Sequence, residues 1–159
     1  MVPKEFVEVL KFIIHKFKGQ KINWALTGSS ALALRGIKIK PGDIDIVTNK
    51  TGAYKINKLL KKYEIKSVKL SKTDKLSSHF GKFKIKGILV EIIGNFRQRL
   101  ENGSWSKPTS LKHKEIIKFD DLEIPALGLN YEYKFYLRNS KNLKRLKEAR
   151  KIKEYLNKK

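Results

Sequence analysis

Hydrophobic and polar positions along the chain follow two periods, and the switches between them mark out the elements. Phe6, Leu10, Ile13 and Phe17 recur at spacings of four, three and four, with Val7 and Ile14 beside them. That spacing predicts an amphipathic helix over 4–18, stopped by Gly19. Ile22 to Leu26 is a short apolar run, followed by Thr27-Gly28-Ser29-Ser30 and then Ala31-Leu32-Ala33-Leu34-Arg35, closed by Gly36. This order predicts a strand, a glycine turn and a helix. After the Pro41-Gly42 turn, Asp43 to Val47 alternates acid and apolar. A strand there puts Asp43 and Asp45 on one face and Ile44 and Ile46 on the other.

Beyond that point a helix is predicted over 52–62, with Ile56, Leu59 and Leu60 inward, then a strand over 65–70 and a loop over 71–78. Strands over 80–85 and 88–93 are joined by Lys86-Gly87, a hairpin-like turn. A short helix is predicted over 96–100, and strands over 115–119 and 122–124 flank Asp120-Asp121. Helical periodicity covers 127–138 and 142–156, the latter with Leu143, Leu146, Ala149, Ile152 and Leu156 on one side and Lys or Arg over much of the rest. There is no internal repeat. The expectation is an α/β (α+β) chain: an α/β core over 1–125, with a mixed sheet flanked by helices, and a helical segment over 126–159 packed on it.

A chain of 159 residues suits one compact domain. Its 40% hydrophobic content argues against wholesale disorder. No apolar run approaches the ~20 residues of a membrane span, and the Met1-Val2-Pro3-Lys4-Glu5 start lacks the apolar region of a signal peptide. The expectation is a cytoplasmic protein without a membrane partner. Cysteine is absent, which removes disulfides, thiolate catalysis and Cys-ligated zinc. His15, His79 and His113 show no metal-ligand spacing. Any bound metal is therefore carboxylate-held and hard, Mg2+ or Mn2+.

Lys and Arg number 37 against 15 Asp and Glu, a net charge of +22. Two readings explain this excess: attraction for a polyanion such as RNA or nucleotide phosphates, or a lysine-rich, thermophile-type surface. The second usually brings glutamate with the lysine, and that balance is missing here.

Candidate chemistry gathers in three places. Asp43 and Asp45, two residues apart on one strand face, repel each other unless a cation sits between them. Ile44 and Ile46 anchor the opposite face, so neither carboxylate turns away cheaply. Such a pair suits one or two divalent ions, which lie ~3.5–4 Å apart in two-metal sites. Glu91 is the only charged residue in the stretch 87–93, and a lone acid in an apolar strand is costly without a cationic partner. Gly28-Ser29-Ser30, a glycine turn opening a helix, offers backbone N–H groups and hydroxyls to an anion. The plainer readings are surface acids on an edge strand, a structural ion pair for Glu91, and an ordinary helix cap at Gly28-Ser29.

Taken in order, Leu26-Thr27-Gly28-Ser29-Ser30, Asp43-Ile44-Asp45-Ile46 and Val90-Glu91-Ile92 resemble the signature of the nucleotidyltransferase superfamily with the DNA polymerase β-like fold. The stretch Thr27 to Arg35 looks most like its small prokaryotic branches: minimal nucleotidyltransferases and their toxin–antitoxin and antibiotic-modifying relatives. The resemblance covers residues 20–95. It implies that Gly28, Ser29 and Ser30 contact the nucleotide phosphates and that Asp43, Asp45 and Glu91 hold magnesium, Glu91 also helping to deprotonate the attacking hydroxyl. The implied reaction is in-line attack on the α-phosphate of a nucleoside triphosphate, with RNA (tRNA), a partner protein or a small hydroxyl compound as acceptor. One feature departs from the pattern: 133–147 contains no Asp or Glu where relatives carry an acid, while Lys134 and Arg138 remain within reach of phosphates. The alternative is a nucleotidyltransferase-fold protein that binds RNA or a small helical toxin–antitoxin partner without turnover.

Overall fold

The computed structural model of the protein describes residues 2–138 and 141–159. Its elements are α1 (Lys4–Phe17), β1 (Trp24–Thr27), α2 (Gly28–Leu34), β2 (Ile44–Thr48), α3 (Lys50–Leu59), β3 (Glu64–Lys72), β4 (Leu76–Ile85), β5 (Ile88–Gln98), β6 (Lys114–Phe119), β7 (Leu122–Leu127), α4 (Leu129–Arg138) and α5 (Leu143–Asn157), with a 3-10 turn at Lys61–Tyr63. The strands form one seven-stranded sheet in the order β3-β4-β5-β2-β1-β7-β6. β2 pairs antiparallel with β1 and parallel with β5, and β1 pairs parallel with β7. This is the α/β arrangement of a mixed sheet flanked by helices that the sequence predicts. No helix among the described residues is long and apolar enough to cross a membrane.

The alternation in β2 decides what each face of the sheet does. Ile44 and Ile46 are fully buried, as are Val90 and Ile92 on β5, and they join Phe6, Leu10 and Ile13 of α1 and Ile56 of α3 in the main core. Each such side chain contributes about 1.5–3 kcal/mol through burial, which fixes the strand register because a slip of one residue would exchange the faces. The opposite face carries Asp45 and Val47. α4 and α5 lie over it and pack on α2 and the segment after it through a second cluster: Leu32, Ile37, Leu129, Tyr136, Ala149 and Ile152.

α3 is capped by Asn49, whose side chain accepts from the Gly52 N–H at 2.7 Å. The helix sits close on β5: a Cβ at Gly94 would come within 2.7 Å of the Ala53 Cβ and 3.1 Å of the Asn49 carbonyl oxygen. At the β4–β5 hairpin, Lys86 and Gly87 both have positive φ (49° and 79°), the pair of values a tight two-residue hairpin turn requires.

Two local expectations are corrected. Most of 71–78, predicted as loop, is strand: Ser71 pairs with Ser78 and Lys72 with Ser77. What remains is a turn in which the Thr73 hydroxyl accepts from the Lys75 and Leu76 N–H groups. Polar residues hid these strand ends because neither face there enters the main core. The short helix predicted over 96–100 is instead the end of β5, held to β4 by Ser77–Arg97 and Leu76–Gln98 pairing. Tertiary pairing overrides the local pattern there.

Gly94→Val should lower unfolding free energy by about 1–3 kcal/mol, since overpacking between a helix and a strand displaces both. Denaturant titration of the two proteins checks this, and an unchanged midpoint would show that α3 can lift off β5 without cost.

Candidate active site

Strand register sets the first three residues of the site. Thr27 of β1 pairs with Asp45 of β2, and Asp45 pairs with Glu91 of β5. Cross-strand partners share a face, so Thr27, Asp45 and Glu91 stand in a row across three neighbouring strands, opposite the apolar face. Asp43 lies just ahead of β2 and shares a hydrogen bond with Glu91. The turn before it is tied down by the Gly42 N–H, which donates to Ser29 Oγ at 3.0 Å. Ser29 therefore links the start of α2 to the segment that presents Asp43.

Gly28 occupies a position only glycine fits. Its φ is +77°, and a Cβ there would lie 2.6 Å from Asp45 Oδ2. The β1–α2 turn is thus packed directly on the central carboxylate.

A fourth carboxyl comes from α4. Glu132 is 1% exposed, and its Oε1 accepts from the Thr27 hydroxyl and from the Gly28 N–H at 3.2 Å. Glu132 lies one position before the stretch 133–147, in which the sequence carries no acid. A signal was present: Glu132 falls on the helical face of Leu129 and Tyr136, both buried, where a lone acid needs a structural reason. Its contact also changes the reading of Gly28, because the N–H expected to stand open to an anion is engaged by Glu132.

The remaining predicted residues divide. Ser30 is fully buried in α2 and its Oγ has no hydrogen-bond partner among the described residues. Lys134 and Arg138 lie on the exposed side of α4, where Arg138 donates to Gln98 Oε1 at 3.1 Å. Neither lines the cavity described below. The cation that does is Arg145 of α5, whose guanidinium stacks 4.9 Å from the Tyr136 ring centre. In the sequence Arg145 is one cation of a largely basic helix, and nothing local sets it apart.

Thr27, Gly28, Asp45, Glu91, Glu132 and Arg145 border a cavity of about 470 Å³ between the sheet face and α4–α5, whereas Asp43, Ser29 and Ser30 do not line it. Its lining includes Gly28 and the carboxyls of Asp45, Glu91 and Glu132. The rest of the lining is largely apolar and hydroxylic, with Leu76, Phe80, Phe96, Tyr131 and Phe135.

The carboxyls perturb one another. Asp45 is pushed up to about 7, chiefly by burial and then by the charges of Glu91, Asp43 and Glu132, with Arg145 opposing. Glu132 is also pushed up to about 7: burial outweighs the hydrogen bonds from Thr27 and Gly28 and the fields of Arg35 and Arg145. Glu91 is raised by burial and by its bond to Asp43, against the pull of Lys82. Four carboxyl groups short of positive charge, with no sulfur or imidazole among them, make a donor set suited to a hard divalent cation. Among the described residues, however, no three acidic or histidine side chains are already drawn together as a metal-coordinating group.

The profile of the aminoglycoside-2''-adenylyltransferase family matches residues 9–151. No curated protein matches the chain. Among solved structures, the chain is similar to TM1012 of Thermotoga maritima, assigned as a nucleotidyltransferase, with 40% identity and a TM-score of 0.84 over 100% of this chain and 97% of that one. It shares the fold of the lincosamide antibiotic adenylyltransferase LnuA, solved with lincomycin, at 15% identity and a TM-score of 0.62 over 96% of this chain and 97% of that one. It also shares the fold of ANT(2'')-Ia, solved with adenylyl-2''-tobramycin, at 9% identity and a TM-score of 0.63 over 96% and 90%.

The raised carboxyls have a consequence for stability. Where a carboxyl's folded pKa lies above its unfolded value, the folded state keeps a proton the unfolded chain has lost, so stability falls as pH rises between the two values. For Asp45 that window runs from 3.8 to about 7. In chelator-containing buffer, Asp45→Asn should therefore gain stability relative to wild type as pH is raised through this window. Parallel stability–pH curves for the two proteins would contradict the arrangement.

Proposed function

The chain belongs to the aminoglycoside-2''-adenylyltransferase family, within the nucleotidyltransferase superfamily, and on that premise we propose a specific chemistry for its cavity. The protein transfers a nucleoside monophosphate from a nucleoside triphosphate, with ATP as the favoured donor, to the hydroxyl of an acceptor, using Mg2+ or Mn2+. The observation that carries this reading is the row Thr27–Asp45–Glu91 packed against the Gly28 turn at the floor of a cavity.

Asp43, Asp45 and Glu91 would hold the metal. When bound, the ion supplies neutralisation of the triphosphate and polarisation of the phosphoryl oxygens. The chain's own residues supply position and proton handling. Ser29 orients the start of α2, where the triphosphate rests, and Ser30 supports the same turn from inside. Glu132 fixes the β1–α2 junction through Thr27 and Gly28. Arg145 meets the negative charge that grows on the leaving pyrophosphate. Glu91 takes the proton of the attacking hydroxyl as that oxygen bonds to the α-phosphorus and the bond to the bridging oxygen breaks. Lys134 and Arg138, at the rim, serve the phosphates only from a distance. Glu132 favours turnover over simple binding, since it places a carboxyl from the C-terminal helices at the site.

ATP labelled at the α-phosphate, incubated with the protein, Mg2+ and separate RNA, protein and small-molecule fractions of a cell extract, should give labelled acceptor and pyrophosphate. Label at the γ-phosphate should stay in pyrophosphate. Asp45→Asn should lower transfer on the order of 10²–10³-fold, the scale of losing an electrostatic group at a reacting centre. Equally low transfer by wild type and variant in every fraction would overturn the reading.

A further inference from the structure

On the side of Glu91 away from the Gly28 turn, the sheet presents lysines. Strand pairing places Lys82 beside Glu91, Lys66 beside Lys82, Lys69 beside Phe80 and Lys84 beside Leu89. Partners across strands share a face, so Lys66, Lys69 and Lys82 lie around Phe80 on the face that bears Asp45 and Glu91, and Lys84 extends the row further along β4. Lys66, Lys69 and Lys84 are exposed. Phe80 is half-buried and lines the cavity, and the Lys66 and Lys82 ammonium groups lie 5.8 and 5.9 Å from its ring centre.

Glu91 offsets Lys82 in part, lying beside it across the strands. Among the described residues, the carboxylate ion pairs within 4.0 Å use Lys11, Arg35, Lys61 and Lys86, and none uses Lys66, Lys69, Lys82 or Lys84. Like charges directly opposite each other on neighbouring strands, as at Lys66 and Lys82, weaken a sheet. A lysine-rich surface laid down for stability alone would avoid that pairing. An anion seated across β3 and β4 turns the same residues into ligands. The aromatic ring between the cations adds a requirement: a flat group that stacks while phosphates meet the ammoniums, the pattern of single-stranded nucleic acid binding. The triphosphate rests at the Gly28 turn on the opposite side of Asp45, leaving this surface to the acceptor.

We propose that the acceptor is a single-stranded RNA, bound by Lys66, Lys69, Lys82 and Lys84 with a base on Phe80, so that a terminal ribose hydroxyl reaches Glu91. This rests on the nucleotidyl-transfer reading above and names its acceptor class. The hydroxyl oxygen forms the new bond to the α-phosphorus, its proton passes to Glu91, and pyrophosphate leaves.

Binding of a fluorescein-labelled single-stranded oligoribonucleotide to the full-length protein, followed by anisotropy across a salt series, tests the surface. A fluorescent ATP analogue measured in parallel with Mg2+ tests the donor site. Lys66→Gln/Lys69→Gln/Lys84→Gln should weaken RNA binding at least about tenfold and reduce the slope of log affinity against log salt by roughly 2, the expectation for three lost phosphate contacts on a single strand. ATP-analogue affinity should stay within about twofold, because donor phosphates do not use these lysines. Lys55→Gln/Lys58→Gln/Lys62→Gln removes the same charge from exposed positions on and just after α3, on the other side of the sheet; it should leave RNA binding nearly unchanged. Equal losses in the two triple variants would mean attraction by net charge alone and overturn the proposal. So would a loss confined to the ATP analogue, or tighter binding of duplex than of single strand. ATP-analogue binding without RNA binding would remove the acceptor assignment alone; failure of the wild type to bind the analogue would remove the nucleotidyl-transfer reading and this assignment together.

Discussion

A carboxylate held away from water among like charges raises the free energy of the folded chain at neutral pH. Asp45 is in that position, with Glu91, Asp43 and Glu132 around it and its pKa pushed up to about 7. The strain is sustained because Ile44 and Ile46, on either side of it in β2, are fully buried on the opposite face. Strand geometry leaves Asp45 no other direction. The glycine at position 28, the tether from Ser29 to Gly42 and the reach of Glu132 all follow from fitting a tight turn and a second layer of helices around this one carboxylate.

The helices at the C-terminus do more than cover the sheet. α4 brings Glu132 onto the β1–α2 junction, and α5 brings Arg145 to the cavity wall. Their packing on Leu32 and Ile37 couples the β1–α2 turn to the helices that close the cavity. Loosening that cluster would disturb both at once, because the Gly28 N–H and the Thr27 hydroxyl share one partner, Glu132 Oε1.

The charge of the chain takes on meaning from where it falls. A total of +22 is compatible with several partners. Lys66, Lys69 and Lys82 around one aromatic ring, with Lys84 further along β4, place part of that charge beside Glu91, on the side of Asp45 away from the Gly28 turn. Phe96, Tyr131 and Phe135 line the same cavity as Asp45 and Glu91.

Much of this was legible in the chain itself. The acid–apolar alternation at 43–47 fixed which faces Asp45 and Ile44 would take, because side-chain direction in a strand has a strict period of two. The lone acid at Glu91 and the Gly28-Ser29 turn were visible for similar local reasons, as was the Lys86-Gly87 hairpin. Strand ends at 71–78 and 96–100 were not, since partners distant in sequence pair them against a weak local pattern. Which cation enters the cavity was equally hidden: Arg145 rather than Lys134 or Arg138 is settled by how α5 packs on α4 and α2, and every Lys or Arg in a basic helix looks alike in sequence. Glu132 stands between the two cases. Its helical face was readable, but its contacts with Thr27 and Gly28 span more than 100 positions of chain. The sequence by itself determined the acids and the turn, whose geometry is local. Only the tertiary structure decided which distant groups close on them, because that depends on the packing of one layer against another.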